Sequence, residues 1–449
     1  MLATGNKTSV YFISLYLRDI KGFLGNFEIN FKDKLGKPAQ WTVLLGNNNT
    51  GKTTTLKLLG AISYFEILAE YTNKYRGILR RANNKRKKNE LLESQDFFSW
   101  LISNKERPMI GPNLFFPFFD YSFQIKRVKI TDRIINLDDL NKRGIISNSA
   151  YIYDAISEYQ EDLIIYGYGI NRKISEVSIL ETKSRHPTAN LFRGVELLNF
   201  EEWYLQTDYA TRIGVPLNQQ RAEIQLKRIK TLLLYSNIFP DIKNIRVNST
   251  ENLQSFVEIY IGRNWVRLKD IGYGYQATIA WLLDLAKRMF DRYPDLEDPL
   301  HGPAIVLIDE IDLHLHPEWQ RKIIKYLSDL FPNTQFIVTA HSPLIVQSAE
   351  NVNLVMLEKD EATGSINVRQ QFGSFQGWTV EEILRELMDL GEKTRSDRYL
   401  ELMREFEDSL LEENYAGAKT AYEELDKILS PSSHQRKVLQ IQMSSLIPA

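Results

Sequence analysis

One loop restricts the fold of this chain more than any other segment. Residues 46–53 read GNNNTGKT, which fits G-x-x-x-x-G-K-[ST] at every fixed position. The loop follows WTVLLG (41–46), predicted to be a buried strand, and opens GKTTTLKLLGAISYFEIL (51–68), predicted to be a helix. A Gly/Asn-rich turn between a strand and a helix is the simpler explanation. The strand–loop–helix context favours a phosphate-binding loop instead.

Each residue type in this loop suits a nucleotide phosphate. Gly46 and Gly51 let backbone N–H groups turn inward, and the helix N-terminus adds its positive dipole. Lys52 would place a positive charge on the β- and γ-phosphates, and the Thr53 hydroxyl would be a magnesium ligand. The predicted nucleotide-binding residues of the loop are Gly46, Asn47, Asn48, Asn49, Thr50, Gly51, Lys52, Thr53 and Thr54.

Two further motifs follow buried strands near the other end of the chain. In PAIVLIDEI (303–311) an apolar strand runs into Asp309, which would hold the Mg²⁺ shell, and Glu310, which would polarise the attacking water. Solvated acids at a strand end are the alternative. His341 follows the strand in TQFIVTAHSP (334–343), where it could reach a γ-phosphate, with a capping or packing role as its alternative.

Together these motifs resemble those of ABC-type ATPases of the SMC and overcoming-lysogenization-defect group. The phosphate loop matches Walker A, the acidic pair matches Walker B, and His341 matches the switch histidine. The resemblance covers residues 9–60 and 257–357. It implies an α/β head in which helices flank a mostly parallel sheet, with an antiparallel N-terminal sheet. Buried strands that alternate with helices predict the same parallel sheet.

The resemblance also implies a shared site. In that group two heads sandwich ATP, and each head completes the other's site with a signature loop. The counterpart here is LKDIGYGYQATIAWLLDLA (268–286), with Gly274 at the second glycine of the signature and Gly272 where the group usually has serine. The expectation is ATP hydrolysis in a homo-oligomer with ATP and Mg²⁺ at the subunit interface. Gln124 is a candidate for the Q-loop.

The chain divides into four predicted segments, because the head motifs are interrupted in the middle and the composition becomes charged and helical near the C-terminus. They are a head part with Walker A (1–70), a mostly helical insertion lobe (71–250), a second head part with the signature, Walker B and switch histidine (251–377), and a helical tail (378–449).

The helical tail resembles that of the small ATPases found in antiphage systems such as Septu and, more distantly, PARIS. In 378–449 no strand ends in paired aspartates, so no nuclease is predicted within the chain itself. The resemblance implies an ATP-binding sensor or scaffold that controls an effector in trans, by likeness to Septu an HNH nuclease.

A basic stretch supports a different function. Eight positive residues lie within 74–88, which suits a DNA-repair or recombination ATPase that grips DNA, although a solvated loop explains them equally well. A transporter subunit fits the large insertion poorly. The net charge of −1 gives no overall attraction to nucleic acid. The chain has no cysteine and no apolar run long enough to span a membrane, so we expect a cytoplasmic protein.

Overall fold

The computed structural model describes residues 9–20, 23–61, 63, 121–128, 133–134, 163–179, 185–234, 238–360, 362–388, 390–391 and 395–444. The chain falls into two compact units, Met1–Trp378 and Thr379–Ala449. The basic stretch 74–88 lies outside the described residues. Gln124 lies on a strand whose backbone alone is described.

A six-stranded, mostly parallel sheet forms the centre of the first unit. Its strands in spatial order are β13 (Ile366–Gly373), β12 (Val352–Lys359), β3 (Trp41–Leu45), β11 (Thr334–Thr339), β10 (Ala304–Ile308) and β6 (Ile165–Tyr168). Only the β12–β13 pair is antiparallel. Strands β3, β10 and β11 are buried along their whole length, as expected of apolar runs covered on both faces.

An antiparallel sheet packs beside the central one. It contains β2 (Phe23–Asn30), β1 (Ser9–Ile20), β4 (Tyr121–Val128) and β5 (Arg133–Ile134), in that order. Phe12 and Phe31 of this layer share a fully buried core with Leu44 of β3. The two sheets are also joined by Gln335 of β11, which accepts from the Phe12 amide at 2.8 Å and donates to its carbonyl at 2.9 Å. The predicted α/β head with its antiparallel N-terminal sheet is confirmed.

Helices and a small third sheet form the rest of the regular structure in the described part of the first unit. The helices are α1 (Lys52–Ala61), α2 (Ala189–Arg193), α3 (Phe200–Ala210), α4 (Pro216–Leu234), α5 (Tyr273–Arg292), α6 (Pro317–Gln320), α7 (Ile323–Leu330) and α8 (Pro343–Gln347). The third sheet is antiparallel, with β7 (Ile242–Ser249), β8 (Ser255–Ile261) and β9 (Asn264–Arg267). Helix α1 starts directly after the loop that follows β3, and α5 starts at the predicted signature loop.

Strand β6 departs from the predicted segments. It lies within 71–250, the range assigned to a helical insertion, yet it pairs in parallel with β10 and forms an edge of the central sheet. Its four residues are too few to show a period in the sequence, which explains why the pattern missed them. Ile165–Tyr168 therefore belongs to the head.

The second unit is helical and has a core of its own. It contains α9 (Val380–Glu386), α10 (Asp397–Leu411), α11 (Tyr415–Ile428) and α12 (His434–Ser444). Thr379 caps α9 in a capping box: its hydroxyl accepts from the Glu382 amide, and the Glu382 carboxylate accepts from the Thr379 amide. Its buried cluster consists of Leu402, Phe406, Ala418, Ala421, Leu425, Leu429 and Leu439. In the described parts of both units, no helix is long and apolar enough to cross a bilayer.

Candidate nucleotide-binding site

Two glycines give the loop after β3 its tight shape. Gly46 has φ of +142° and Gly51 has φ of +93°, a range that residues other than glycine rarely adopt. A Cβ at Gly46 would collide with the Leu357 carbonyl, and one at Gly51 would come within 2.8 Å of the Phe23 ring. The loop therefore needs glycine at both fixed positions of the motif.

Lys52 folds back into this loop. Its ammonium donates to the carbonyls of Gly46 at 2.7 Å and Asn47 at 2.8 Å, and its residue is 7% exposed. Burial lowers the pKa of Lys52, and the nearby carboxylates, led by Asp309, act in the opposite direction. The side chain is held where it can turn toward an anion on the loop.

The predicted magnesium ligands lie in direct contact. The Thr53 hydroxyl is 3.0 and 2.9 Å from the two carboxylate oxygens of Asp309. Thr339 at the end of β11 donates to the same carboxylate at 2.8 Å. Because β11 lies between β3 and β10, the carboxyl ends of three parallel strands bring these groups together.

Glu310 sits on a sharp turn immediately after Asp309. Its φ of +52° is uncommon for a residue with a side chain. The Glu310 amide donates to the Thr339 hydroxyl at 2.6 Å, and the Ile311 amide donates to the Thr339 carbonyl at 2.9 Å. The chain thus leaves β10 abruptly, anchored to β11.

Glu310 and His341 open onto one cleft of about 460 Å³. Its lining consists of Asn48, Glu310, Asp312, Leu313, His314, Leu315, Gln320 and His341. The His341 amide donates to Asp312 at 2.9 Å. The other carboxylate oxygen of Asp312 is buried, with no hydrogen-bond partner among the described residues. The cleft therefore brings together Asn48 of the phosphate loop, Glu310 and the predicted switch histidine.

The other residues of the predicted phosphate loop surround this centre. Asn47, Asn48 and Asn49 are exposed, and Asn49 adopts φ of +64°. Thr50 is buried and donates to the Asn47 carbonyl at 2.9 Å, whereas Thr54 is half-buried on α1.

The signature glycines are not part of the cleft lining among the described residues. Gly272 precedes α5, and a Cβ built there meets nothing within 4 Å. Gly274 instead packs tightly in its own chain, because its Cβ would lie 2.5 Å from the His314 carbonyl. The ring of Tyr273 also meets His314 edge-on, with centroids 4.8 Å apart. The signature loop therefore packs against His314, a residue that lines the cleft, rather than against Lys52.

Sequence patterns missed two supporting residues. Thr339 is part of the strand that precedes His341, but nothing in IVTAHSP marks its hydroxyl as a partner of Asp309. Arg172 lies in the loop after β6 and donates to the carbonyls of Asp309 and Glu310. A glycine-rich run, YGYGINR (166–172), was the only signal for it.

Comparisons with known proteins find ATPases that are similar in sequence to this chain. A family model described as AAA ATPase domain matches residues 136–346. The Septu protein PtuA of Bacillus thuringiensis is 34% identical over 261 residues, which cover 56% of this chain and 63% of that protein. The chain thus spans less than two thirds of that relative's length.

Two longer alignments extend the comparison. The retron Vc95 probable ATPase of Vibrio cholerae serotype O1 biovar El Tor is 24% identical over 402 residues, 77% of this chain and 76% of that protein. The solved SMC head domain from Thermotoga maritima aligns with 80% of this chain and 98% of its own, at 14% identity and a TM-score of 0.31.

The phosphate loop, the contact of Thr53 with Asp309 and the mixed sheet resemble a P-loop ATPase head of the ABC type. Within this class the chain is similar to the Septu protein PtuA, so the resemblance predicted from its motifs is confirmed.

Proposed function

We propose that this chain binds and hydrolyses ATP with Mg²⁺ and is the ATPase subunit of an antiphage defence complex, in which it controls a nuclease in trans. One observation carries the ATPase part: Thr53 contacts both carboxylate oxygens of Asp309 beside a cleft that holds Glu310 and His341. The Septu and retron relatives support the defence part.

The phosphate loop would bind the nucleotide. Its glycines and the start of α1 direct N–H groups and a positive dipole toward the phosphates. Lys52 would exchange its bonds to the Gly46 and Asn47 carbonyls for phosphate oxygens, which carry a full negative charge. This exchange favours ATP because carbonyl oxygens are the weaker acceptors.

The donor set beside the loop fits Mg²⁺. Thr53 and Asp309 supply the hard oxygen ligands that this ion prefers, and Mg²⁺ is usually held by one or two carboxylates together with substrate phosphates. No cluster of three His, Cys, Asp or Glu occurs within the described ranges, and such a site does not require one. The bound ion would neutralise charge on the β- and γ-phosphates.

Glu310 would orient and polarise the attacking water, and His341 would contact the γ-phosphate. Both line the cleft that borders the phosphate loop at Asn48. The turn at Glu310 is anchored through its amide to Thr339, so the carboxylate starts from a fixed backbone.

The test of this function is the variant E310Q, which retains the shape of the side chain but lacks the base. We expect the turnover number for ATP to fall about 100-fold or more, since general bases contribute on the order of 10²–10⁴. The dissociation constant for ATP should stay within about threefold. The matched control is E358Q, on β12, where the carboxylate pairs with Arg369. Equal turnover in E310Q and E358Q would remove Glu310 from the reaction.

The control of a nuclease needs its own experiment. The chain should co-purify with a nuclease encoded beside it, of the HNH type by resemblance to Septu. Nuclease activity of the complex should differ between ATP and no nucleotide, and this difference should disappear with K52A. If the nuclease activity of the complex is the same with and without ATP, the proposed control of the nuclease by this chain is wrong.

A DNA-repair or recombination ATPase stays the alternative. It predicts that DNA binding falls steeply with salt and that neutralising 74–88 abolishes it. ATP turnover stimulated by DNA in the absence of any nuclease partner would favour this alternative.

A further inference from the structure

Arg172 is a charged side chain in an unusually deep position. It lies in the loop after β6 and is 1% exposed. Its Nη2 donates to the carbonyl of Asp309 at 2.6 Å and to that of Glu310 at 2.7 Å, and its Nε donates to the Gly169 carbonyl at 3.2 Å. A buried guanidinium needs such bonds, because its desolvation is costly. Two of its three acceptors, the carbonyls of Asp309 and Glu310, lie on either side of the Glu310 Cα.

Arg172 stays charged in this position. Burial lowers its pKa to about 10, while the carboxylates of Asp309, Asp312 and Glu310 act in the opposite direction. Its bonds to the two carbonyls are therefore charge-assisted, and such bonds are roughly twice as strong as neutral ones.

The loop that carries Arg172 is itself fixed. Asn190 of α2 accepts from the Gly169 amide at 2.7 Å and donates to the Asn171 carbonyl at 2.7 Å. A Cβ at Gly169 would lie 2.9 Å from the Asn190 carbonyl, so only glycine permits this approach. Because β6 also pairs with β10, Arg172 is held from two sides against the Walker B turn.

We propose that Arg172 is a positioning residue that sets the direction of the Glu310 side chain. The inference rests on the proposed role of Glu310 in ATP hydrolysis. The carbonyls of Asp309 and Glu310 belong to the two peptide planes that meet at the Glu310 Cα. Fixing both planes fixes φ and ψ of Glu310, and with them the direction of its Cα–Cβ bond.

The conformation of Glu310 explains why such a clamp is needed. Its φ of +52° lies in the left-handed region, which is unfavourable for a residue with a Cβ. A strained conformation persists only where its surroundings hold it. Without Arg172 the turn would relax toward ordinary backbone angles, and the carboxylate would leave the cleft that it shares with His341.

Two variants separate the charge of Arg172 from its geometry. R172K keeps a positive charge but replaces the planar fork with a compact ammonium, and R172M removes the charge while keeping much of the bulk. We expect the turnover number for ATP to fall about 10-fold in R172K and about 100-fold in R172M, from the loss of charge-assisted bonds. The KM for ATP should stay within about threefold, because Arg172 does not contact the phosphate loop in the described structure.

The control variant is R288M. Arg288 donates to Asp284 at 2.7 Å in a partly buried pair within α5, so its acceptor is a side chain rather than a Walker B carbonyl. R288M should lower the melting temperature by as much as R172M does, while its turnover number stays within about twofold of wild type. A stability effect alone would thus affect both variants, and a positioning effect only the Arg172 variants.

A measurement that needs no turnover tests the clamp directly. In R172M, hydrogen exchange of the Glu310 and Ile311 amides, which donate to Thr339, should accelerate at least about 10-fold relative to R288M. If wild type hydrolyses no ATP, the proposed function fails, and this exchange measurement still decides the inference. Unchanged exchange, or folded Arg172 variants with wild-type turnover, would overturn it.

Discussion

The phosphate edge, by which we mean the carboxyl-terminal ends of β3, β10 and β11 together with the phosphate loop, differs from the signature loop in what stabilises it. There, Thr53 at the start of α1 and Thr339 at the end of β11 both hydrogen-bond to the carboxylate of Asp309, which directly follows β10. The signature loop is stabilised locally, since Gln276 of α5 donates to the carbonyls of Lys269 at 2.9 Å and Ile271 at 2.7 Å.

This difference shows what one chain can supply. The phosphate edge brings together side chains suited to bind phosphate, metal and water. The conformation of the signature loop is instead held by its own hydrogen bonds. Gly272 has open space around it, while Gly274 packs on its own chain at His314. The resemblance to paired ATPase heads implies that this loop completes the site of a second copy, and the open space at Gly272 leaves room for it.

The largest effect is expected at the edge, from K52A. Without its ammonium the loop loses a charge-assisted bond to the phosphates, so the dissociation constant for ATP should rise about 100-fold. Titration with a fluorescent ATP analogue measures this. The control is K325A, which removes an exposed lysine of α7. Unchanged affinity in K52A would refute the phosphate-loop assignment.

A mixing experiment tests the signature loop. G272R should lower turnover to background, because it places a long charged side chain where a second copy's nucleotide is expected. Mixed with K52A, it can form one site with an intact phosphate loop and an intact signature. Turnover should peak near equal mixing, at up to about a quarter of wild type by random pairing.

The choice of Gly272 is decided by the structure. A substitution at Gly274 would strike the His314 carbonyl of the same chain, which lines the cleft, so its effect would not be confined to the partner. Flat background turnover across mixing ratios, with mixed oligomers confirmed, would contradict the shared site.

A smaller effect at the edge is expected from T339V. It removes the donor to Asp309 and leaves the Glu310 amide without its acceptor, so turnover should fall about 10-fold. Thr334 on the same strand offers a matched control, because its buried hydroxyl has no partner in the described part of the chain. T334V should therefore be neutral in turnover and at least as stable. Equal losses in both variants would indicate a packing effect.

The smallest effect on ATP binding is expected from removing 379–449. This unit has its own core, and the first unit has a separate one. The shortened chain should melt cooperatively, bind ATP within about twofold of full length, and lose its nuclease partner if the tail holds it. Calorimetry and co-purification measure these outcomes. Loss of cooperative melting would show that the head depends on the tail.

The central features of the head were predictable because they are local in the sequence. A phosphate loop needs its glycines, lysine and threonine in one short run, and a buried strand ending in Asp309 and Glu310 shows in hydrophobicity alone. The helical tail was visible for the same reason, through charged residues at helical spacing. Strand β6 was not, because four residues carry no period.

By itself, the sequence determined the class of fold and the candidates Lys52, Thr53, Asp309, Glu310 and His341. Only the tertiary structure decided what holds them. Thr339 donates to Asp309, which lies 30 positions earlier in the chain, and Arg172 reaches the Walker B turn from 137 positions away. The Thr339 contact depends on the pairing of β10 with β11, and the Arg172 contacts go to backbone carbonyls, which every residue possesses. No residue pattern can therefore mark them in advance.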